Sequence, residues 1–470
     1  MPEDTADPTL LGACAQRALI ARRELLPSEL IERTLQRIER LNPRLNAVVT
    51  LSPSALDEAR ALDRRLERGE GESLPLCGLP VGIKDVTPVA GLRCTYGSPL
   101  YRDHVAGEDA LVVRRLRAAG AVIVGKTNTP EFATGGNTFN EVFGRTHNPW
   151  NPELSAGGST GGGAAALASG MISIAEGTDL GGSLRIPASF CGIVGLRPSP
   201  GLVPTWPSDY IWDTLQVTGP MARTAADVAL ALQAMAGNDP RWPLAQPGGR
   251  DFVAAAGREA PLRARRFAYC PDIAGIGVDA GIEQVAREAA FALRDADAEV
   301  EEIELDVRYA KEAFLALRGH WMVVQQLDRL ERKAEFGDNL RGNVDAGLAR
   351  TTLELAAAEH GRARLCAELG ELLESFDHLI TPSMAVPPFP VSENYPTEVG
   401  GQPMQTYVDW IAPTFILSLS GLPVASVPCG LDAAGLPVGL QVVGRRAAEE
   451  EVLAAAAGIQ ARCPIGLPQL

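Results

Sequence analysis

Apolar residues recur three and four positions apart early in the chain. In ELIERTLQRIERL (29–41) and ALDEARALDRRLER (55–68) they form one stripe on a charged background, which predicts amphipathic helices. Pro27 and Pro53 suit first helical positions, Ser52 an N-cap and Gly69 a stop, so residues 9–70 read as helices packed outside a larger body. From Leu79 the pattern changes to short continuous apolar runs broken by Gly and Pro. These are LPVGIKDV (79–86), AVIVGKT (121–127), RRFAYC (265–270), AEVEEIEL (298–305), DHLITPSMAVPPFP (377–390), FILSLSGLPVASVPCG (415–430) and LPVGLQVVG (436–444). Such runs predict buried strands. Helical patterns separate them, among them one starting at Thr224 with Asp227 placed for a capping box. The expected fold is α/β, a mixed twisted β-sheet core flanked by helices. No repeat or linker divides it, so residues 1–470 read as a single domain, with a core over about 75–240 and a more variable region over about 240–375.

The totals narrow the function classes. A net charge of −15 argues against nucleic acid or an anionic membrane as partner, since both select basic surfaces. Eight cysteines without a CxxC pair suggest reduced thiols, and the acidic start MPEDTADPTL lacks the features of a signal peptide. No apolar stretch approaches about 18 residues. The five histidines lie far apart, so no metal and no cofactor is expected. The picture is a cytoplasmic enzyme acting on a small molecule, as a monomer or homodimer.

Candidate chemistry centres on SAGGSTGGGAAALASGMISIAEGTDLGGSLR (155–185), where Ser159 and Ser183 each sit among glycines, 24 residues apart. Glycine lets a second group approach the backbone closely, so two hydroxyls can meet there, and a hydroxyl attacks a carbonyl once a base removes its proton. Lys84 ends an apolar strand, where burial would lower its pKa; a lysine reaching out to water is the plainer alternative. Two short patterns mislead. GAVIVGKT (120–127) fits the phosphate-loop spelling, but its loop positions are Ala, Val, Ile and Val, which favour a buried strand, and a helix precedes it. Gly157–Gly161 fits the nucleophile-elbow spelling GxSxG, but HNPWNPELSAGG before Ser159 holds no strand. An esterase using Ser159 with a histidine is kept as an alternative.

KDV (84–86), KTNTPEFATGGNT (126–138), GGST (157–160), GTDLGGSLRIPASFCGIVGLRP (177–198) and GLPVASVPCG (421–430) together resemble the amidase signature family of hydrolases, over roughly Leu25 to Val443. The resemblance implies a Ser-cisSer-Lys triad: Ser183 as nucleophile, Ser159 bridging on a cis peptide after Gly158, and Lys84 as base. It implies an oxyanion hole from the N–H groups of Leu180, Gly181, Gly182 and Ser183, supported by Thr178, Asp179 and Arg185. Gly135, Gly136, Trp206, Tyr210 and Trp212 are expected to bind substrate, with Trp321 and Trp410 on elements able to fold over it. Thr160 and Gly163 depart from the family pattern, which often has serine at both positions. The family acts on many amides, carbamates and urea-like compounds. The aromatic residues suggest a hydrophobic or aryl amide, an anilide or a carbamate, as in a urethanase. The same family includes the glutaminase subunit of a tRNA-dependent amidotransferase, where DTGGS is common and this chain has Leu180.

Overall fold

A computed structural model describes residues 7–71 and 73–470. The strands after Leu79 come from the seven expected apolar runs, FILSLS excepted, and from three segments that the apolar pattern did not mark, 174–179, 194–197 and 217–222. They are β2 (Pro80–Lys84), β3 (Val122–Thr127), β4 (Ile174–Asp179), β5 (Val194–Arg197), β6 (Val217–Ala222), β7 (Arg266–Tyr269), β8 (Glu299–Glu302), β9 (His378–Pro382), β10 (Val424–Leu431) and β11 (Pro437–Val443). With β1 (Val48–Leu51) they make one eleven-stranded mixed sheet in the order β1-β3-β2-β4-β6-β5-β10-β11-β9-β7-β8. Pairing is parallel for β2 with β3 and β4, and antiparallel from β4 through β11 to β9. Most of these strands are buried along their whole length, which is why they read as continuous rather than alternating apolar runs. The expected α/β class with a mixed sheet flanked by helices is what the chain forms.

The early helices are α1 (Ala13–Ala21), α2 (Pro27–Leu45) and α3 (Ala55–Glu67). Reading 9–70 as helical overlooked β1. After Leu45 the chain leaves the helix because Asn46 is left-handed (φ 48°) and the Asn42 side-chain oxygen accepts the N–H groups of Ala47 and Val48 at 2.8 Å each. The β-branched pair that follows then joins the sheet against β3. Ser52 belongs to that pairing, its N–H donating to Val124 O, and Ser54 stands at the N-cap of α3 instead. The run FILSLS, expected as strand, lies in a helix over Ala412–Ser420. It is buried on every side, so it shows no stripe, and Gly421 ends it at φ 68°.

α4 (Leu111–Ala118) precedes β3 as expected, and Lys126 lies within that strand, fully buried. The phosphate-loop spelling is therefore a strand. Thr224 caps the helix Ala225–Met235 by accepting the Asp227 N–H, whereas the Asp227 carboxylate accepts Cys14 N–H at 2.7 Å and ties α1 to the body. Among the described residues no helix is long and apolar enough to cross a membrane.

Candidate active site

Pairing of β2 with β4, with Ile83 opposite Glu176, brings the carboxyl ends of both strands together. Lys84 closes β2 and is fully buried. Its Nζ lies 2.7 Å from Ser159 Oγ, 3.0 Å from Thr178 Oγ1 and 3.4 Å from the Thr178 carbonyl. Burial pushes the Lys84 ammonium from 10.5 to about 7, although the negative charges of Glu176 and Asp179 pull it upward. Thr178 thus touches the lysine directly rather than supporting it from behind. Glu176, whose carboxyl burial pushes up, accepts Lys84 N–H at 3.2 Å and Thr87 Oγ1–H at 2.9 Å.

Ser159 reaches Lys84 because a short helix of Gly and Ala with a single Leu, α5 (Gly161–Ala168), packs close against the strand ends. A Cβ on Gly162 would lie 2.3 Å from the Asn128 nitrogen, so only glycine permits that approach. The peptide Gly158–Ser159 is cis. No strand runs directly into Ser159, and its Oγ is held by Lys84; no histidine is among its partners in the described residues. His378 is buried on β9 with Nδ1 3.4 Å from Val443 O, and His320 packs edge-on against Tyr210.

Ser183 follows β4 on a tight loop that Asp179 organises. The buried Asp179 carboxylate accepts the N–H groups of Gly182 (2.9 Å) and Leu184 (3.1 Å) and faces Arg185 at 3.0 Å and Arg197 at 3.2 Å. Burial alone would raise this carboxyl, but the two guanidinium groups hold it well below the usual carboxylate range. Gly182 sits at φ 125°, where a Cβ would meet Thr414 Oγ1 at 2.2 Å. The four-donor oxyanion expectation is corrected here. The Gly182 N–H is committed to Asp179, while those of Leu180, Gly181 and Ser183 carry no protein acceptor among the described residues.

A cavity of about 30 Å³ is lined by Ser159, Ser183, Thr178, Leu180, Gly181 and Gly135, with Phe132, Ile186, Arg318, Trp321, Met322, Tyr407 and Ile411 completing much of its wall. A larger cavity of about 240 Å³ shares Phe132, Ala133, Thr178, Gln216 and Trp321 with it and adds Tyr96, Trp206 and Pro207. The structure thus brings Ser159, Thr178 and Ser183 to one recess, with Lys84 behind Ser159 and Thr178, Gly135 in its wall and Trp206 in the adjoining one. Other expected substrate contacts lie elsewhere. Trp212 is 62% exposed and lines neither cavity, and Tyr210 packs on His320 outside both. Gly136 lies under the fully buried Trp410, whose ring would meet a Cβ there at 2.6 Å. Trp410 stacks on Phe190 in the core, whereas Trp321 lines both cavities and donates Nε1–H to Asp213 at 2.6 Å. Sequence reasoning gave no role to Phe132, although it lies within KTNTPEFATGGNT, and left out Arg318, Met322, Tyr407 and Ile411, which come from segments with no motif and reach the site only through tertiary packing.

The family model described as Amidase matches residues 29–453. The chain is 34% identical to the acylamidase of Rhodococcus erythropolis, over 97% of this chain and 96% of that one. It is also 34% identical to the A subunit of glutamyl-tRNA(Gln) amidotransferase from Desulforapulum autotrophicum, over 98% of each. A bacterial aryl acylamidase of the amidase signature enzymes has a similar structure, with a TM-score of 0.90 and 29% identity over 97% of both chains.

Proposed function

The chain belongs to the amidase signature family of amidohydrolases, and from that premise we propose that it cleaves the C–N bond of a hydrophobic or aryl amide, anilide or carbamate through an acyl-enzyme on Ser183. The observation that carries this reading is the 2.7 Å contact between Lys84 Nζ and Ser159 Oγ at the foot of a cavity that Ser183 also lines. Neutral Lys84 takes the proton of Ser159 as Ser159 takes that of Ser183, and Ser183 Oγ attacks the carbonyl carbon. Charge gathering on the carbonyl oxygen meets the N–H groups of Leu180, Gly181 and Ser183; one such donor is typically worth about 3 kcal/mol. The proton returns through Ser159 to the leaving nitrogen and the C–N bond breaks. Water then attacks the acyl-enzyme, losing its proton along the same path, and frees Ser183.

Phe132, Trp206 and Trp321 support an aromatic group in the larger cavity. Similarity to a glutamyl-tRNA(Gln) amidotransferase keeps a second reading, a glutaminase working within a complex. The two separate by assay: the first expects hydrolysis of simple anilides by the purified chain without tRNA or ATP, and the second expects glutamine to be the better substrate. Fluorophosphonate labelling with peptide mapping tests the nucleophile. The expected result is one adduct on Ser183, lost in Lys84→Ala; an adduct on Ser159 would overturn the assignment.

A further inference from the structure

Arg318 lies on the helix Ala310–Gln326, is 5% exposed, and lines the cavity that holds Ser159 and Ser183. Its Nη atoms donate to Asn343 Oδ1 and to the Tyr407 hydroxyl, both neutral groups, and Nε donates to nothing among the described residues. No carboxylate stands within 4.0 Å of it among those residues. The other buried arginines are treated differently. Arg185 and Arg197 both pair with Asp179, and Arg223 spends its donors on four backbone carbonyls. Arg318 also faces a second cavity lined by three acids: Asp409 pairs with Lys311, Asp338 pairs with Arg341, and Glu312 makes no ion pair within 4.0 Å, with Arg318 or any other cation, among the described residues.

A guanidinium cannot shed its charge by deprotonating, so burial without a counter-ion leaves an unmatched cation beside the reacting serines. We propose that Arg318 receives a carboxylate carried by the substrate, and that the acyl part is a short chain ending in that carboxylate. This rests on the amide-hydrolase reading above. The cavity at Arg318 has room for only a short group, about 30 Å³, whereas the adjoining one, about 240 Å³ and aromatic-walled, suits an aryl amine. Charge-assisted bonds of this kind, once desolvated, select strongly for the charged ligand.

The test compares the mono-4-nitroanilide of glutaric acid with the neutral 4-nitroanilide of pentanoic acid. The purified wild-type chain is expected to favour the glutaryl substrate by about 10- to 100-fold in kcat/KM. That ratio should fall to about one in Arg318→Met and return in part in Arg318→Lys. Free glutarate should inhibit pentanoyl anilide hydrolysis competitively in the wild type, a result that needs no variant to fold. Equal rates on both anilides with no glutarate inhibition would overturn the carboxylate site and leave amide hydrolysis standing. Failure to cleave either anilide, with no adduct on Ser183, would overturn the functional reading and this inference with it.

Discussion

The ends of β2 and β3 lie side by side in the sheet, and each carries a lysine removed from solvent. Lys126 Nζ donates to Thr87 O at 2.7 Å and stands 3.3 Å from Asp85 Oδ1, an acid itself held by Thr95. Lys84 Nζ touches only two hydroxyls and a carbonyl, with no carboxylate at ion-pair distance among the described residues. Burial is the same for both; the contact partner differs. Desolvation pushes a lysine toward its neutral form, and a contacting carboxylate opposes it. The base of the proposed mechanism thus stands at the strand end where the fold withholds a direct counter-ion, and an ion pair stands one strand away.

The largest effects should separate the two. In Lys84→Met, amide turnover should fall by at least about 10³-fold, the scale of losing general-base catalysis, while the thermal melt stays cooperative. In Lys126→Met the loss should appear in stability. Asp85 would be left buried without its cation, at about 3–5 kcal/mol, read by denaturant titration. Equal loss of turnover in folded Lys126→Met protein would remove the distinction.

The strands that carry both lysines were legible because they are buried throughout and so are spelled as apolar runs. The meeting of Lys84, Ser159 and Ser183 was legible only through several ordered motifs; neither serine pattern taken alone pointed to a lysine. What stayed hidden depends on three-dimensional direction. That Gly182 gives its N–H to Asp179 follows from how a carboxylate turns within its loop, which no spacing records. The strand Val48–Leu51 was hidden behind an Asn42 side chain that ends a helix, and the helix Ala412–Ser420 lacked any polar face to reveal its period.

Proton loss from Lys84 sets a pH dependence of intermediate size. Since the neutral amine is the base, kcat/KM on a neutral anilide should rise about tenfold per unit up to about pH 7 and level off above it. Glu176 raises the Lys84 value through its charge, so Glu176→Gln should move this limb to lower pH, by about one unit. Activity that peaks in acid and falls by about pH 8 would break the assignment of Lys84 as base. Stability follows with its own sign. Between about 7 and 10.5 the unfolded chain keeps a proton on Lys84 that the native state has lost. The wild type should therefore gain stability relative to Lys84→Met as pH rises through that window.

The smallest effect extends the same rule from lysines to tryptophans, since partner and placement decide what a residue does. Trp212 follows the site in sequence yet is 62% exposed and touches neither cavity. Trp321 comes from a distant helix, lines both cavities and holds Asp213 through Nε1–H at 2.6 Å. Trp321→Phe keeps an apolar ring but leaves that buried carboxylate short of a donor, and Asp213 also accepts the N–H groups of Leu215 and of Gln216, a cavity-wall residue. A loss of about tenfold in kcat/KM on an aryl anilide is expected, the size of one hydrogen bond to a charged group. Trp212→Ala should change the same constant by less than about twofold, because surface positions away from such contacts are usually near neutral. If the order of these two effects is reversed, the aromatic wall is built by the loop after Ser183 and not by the helix across from it.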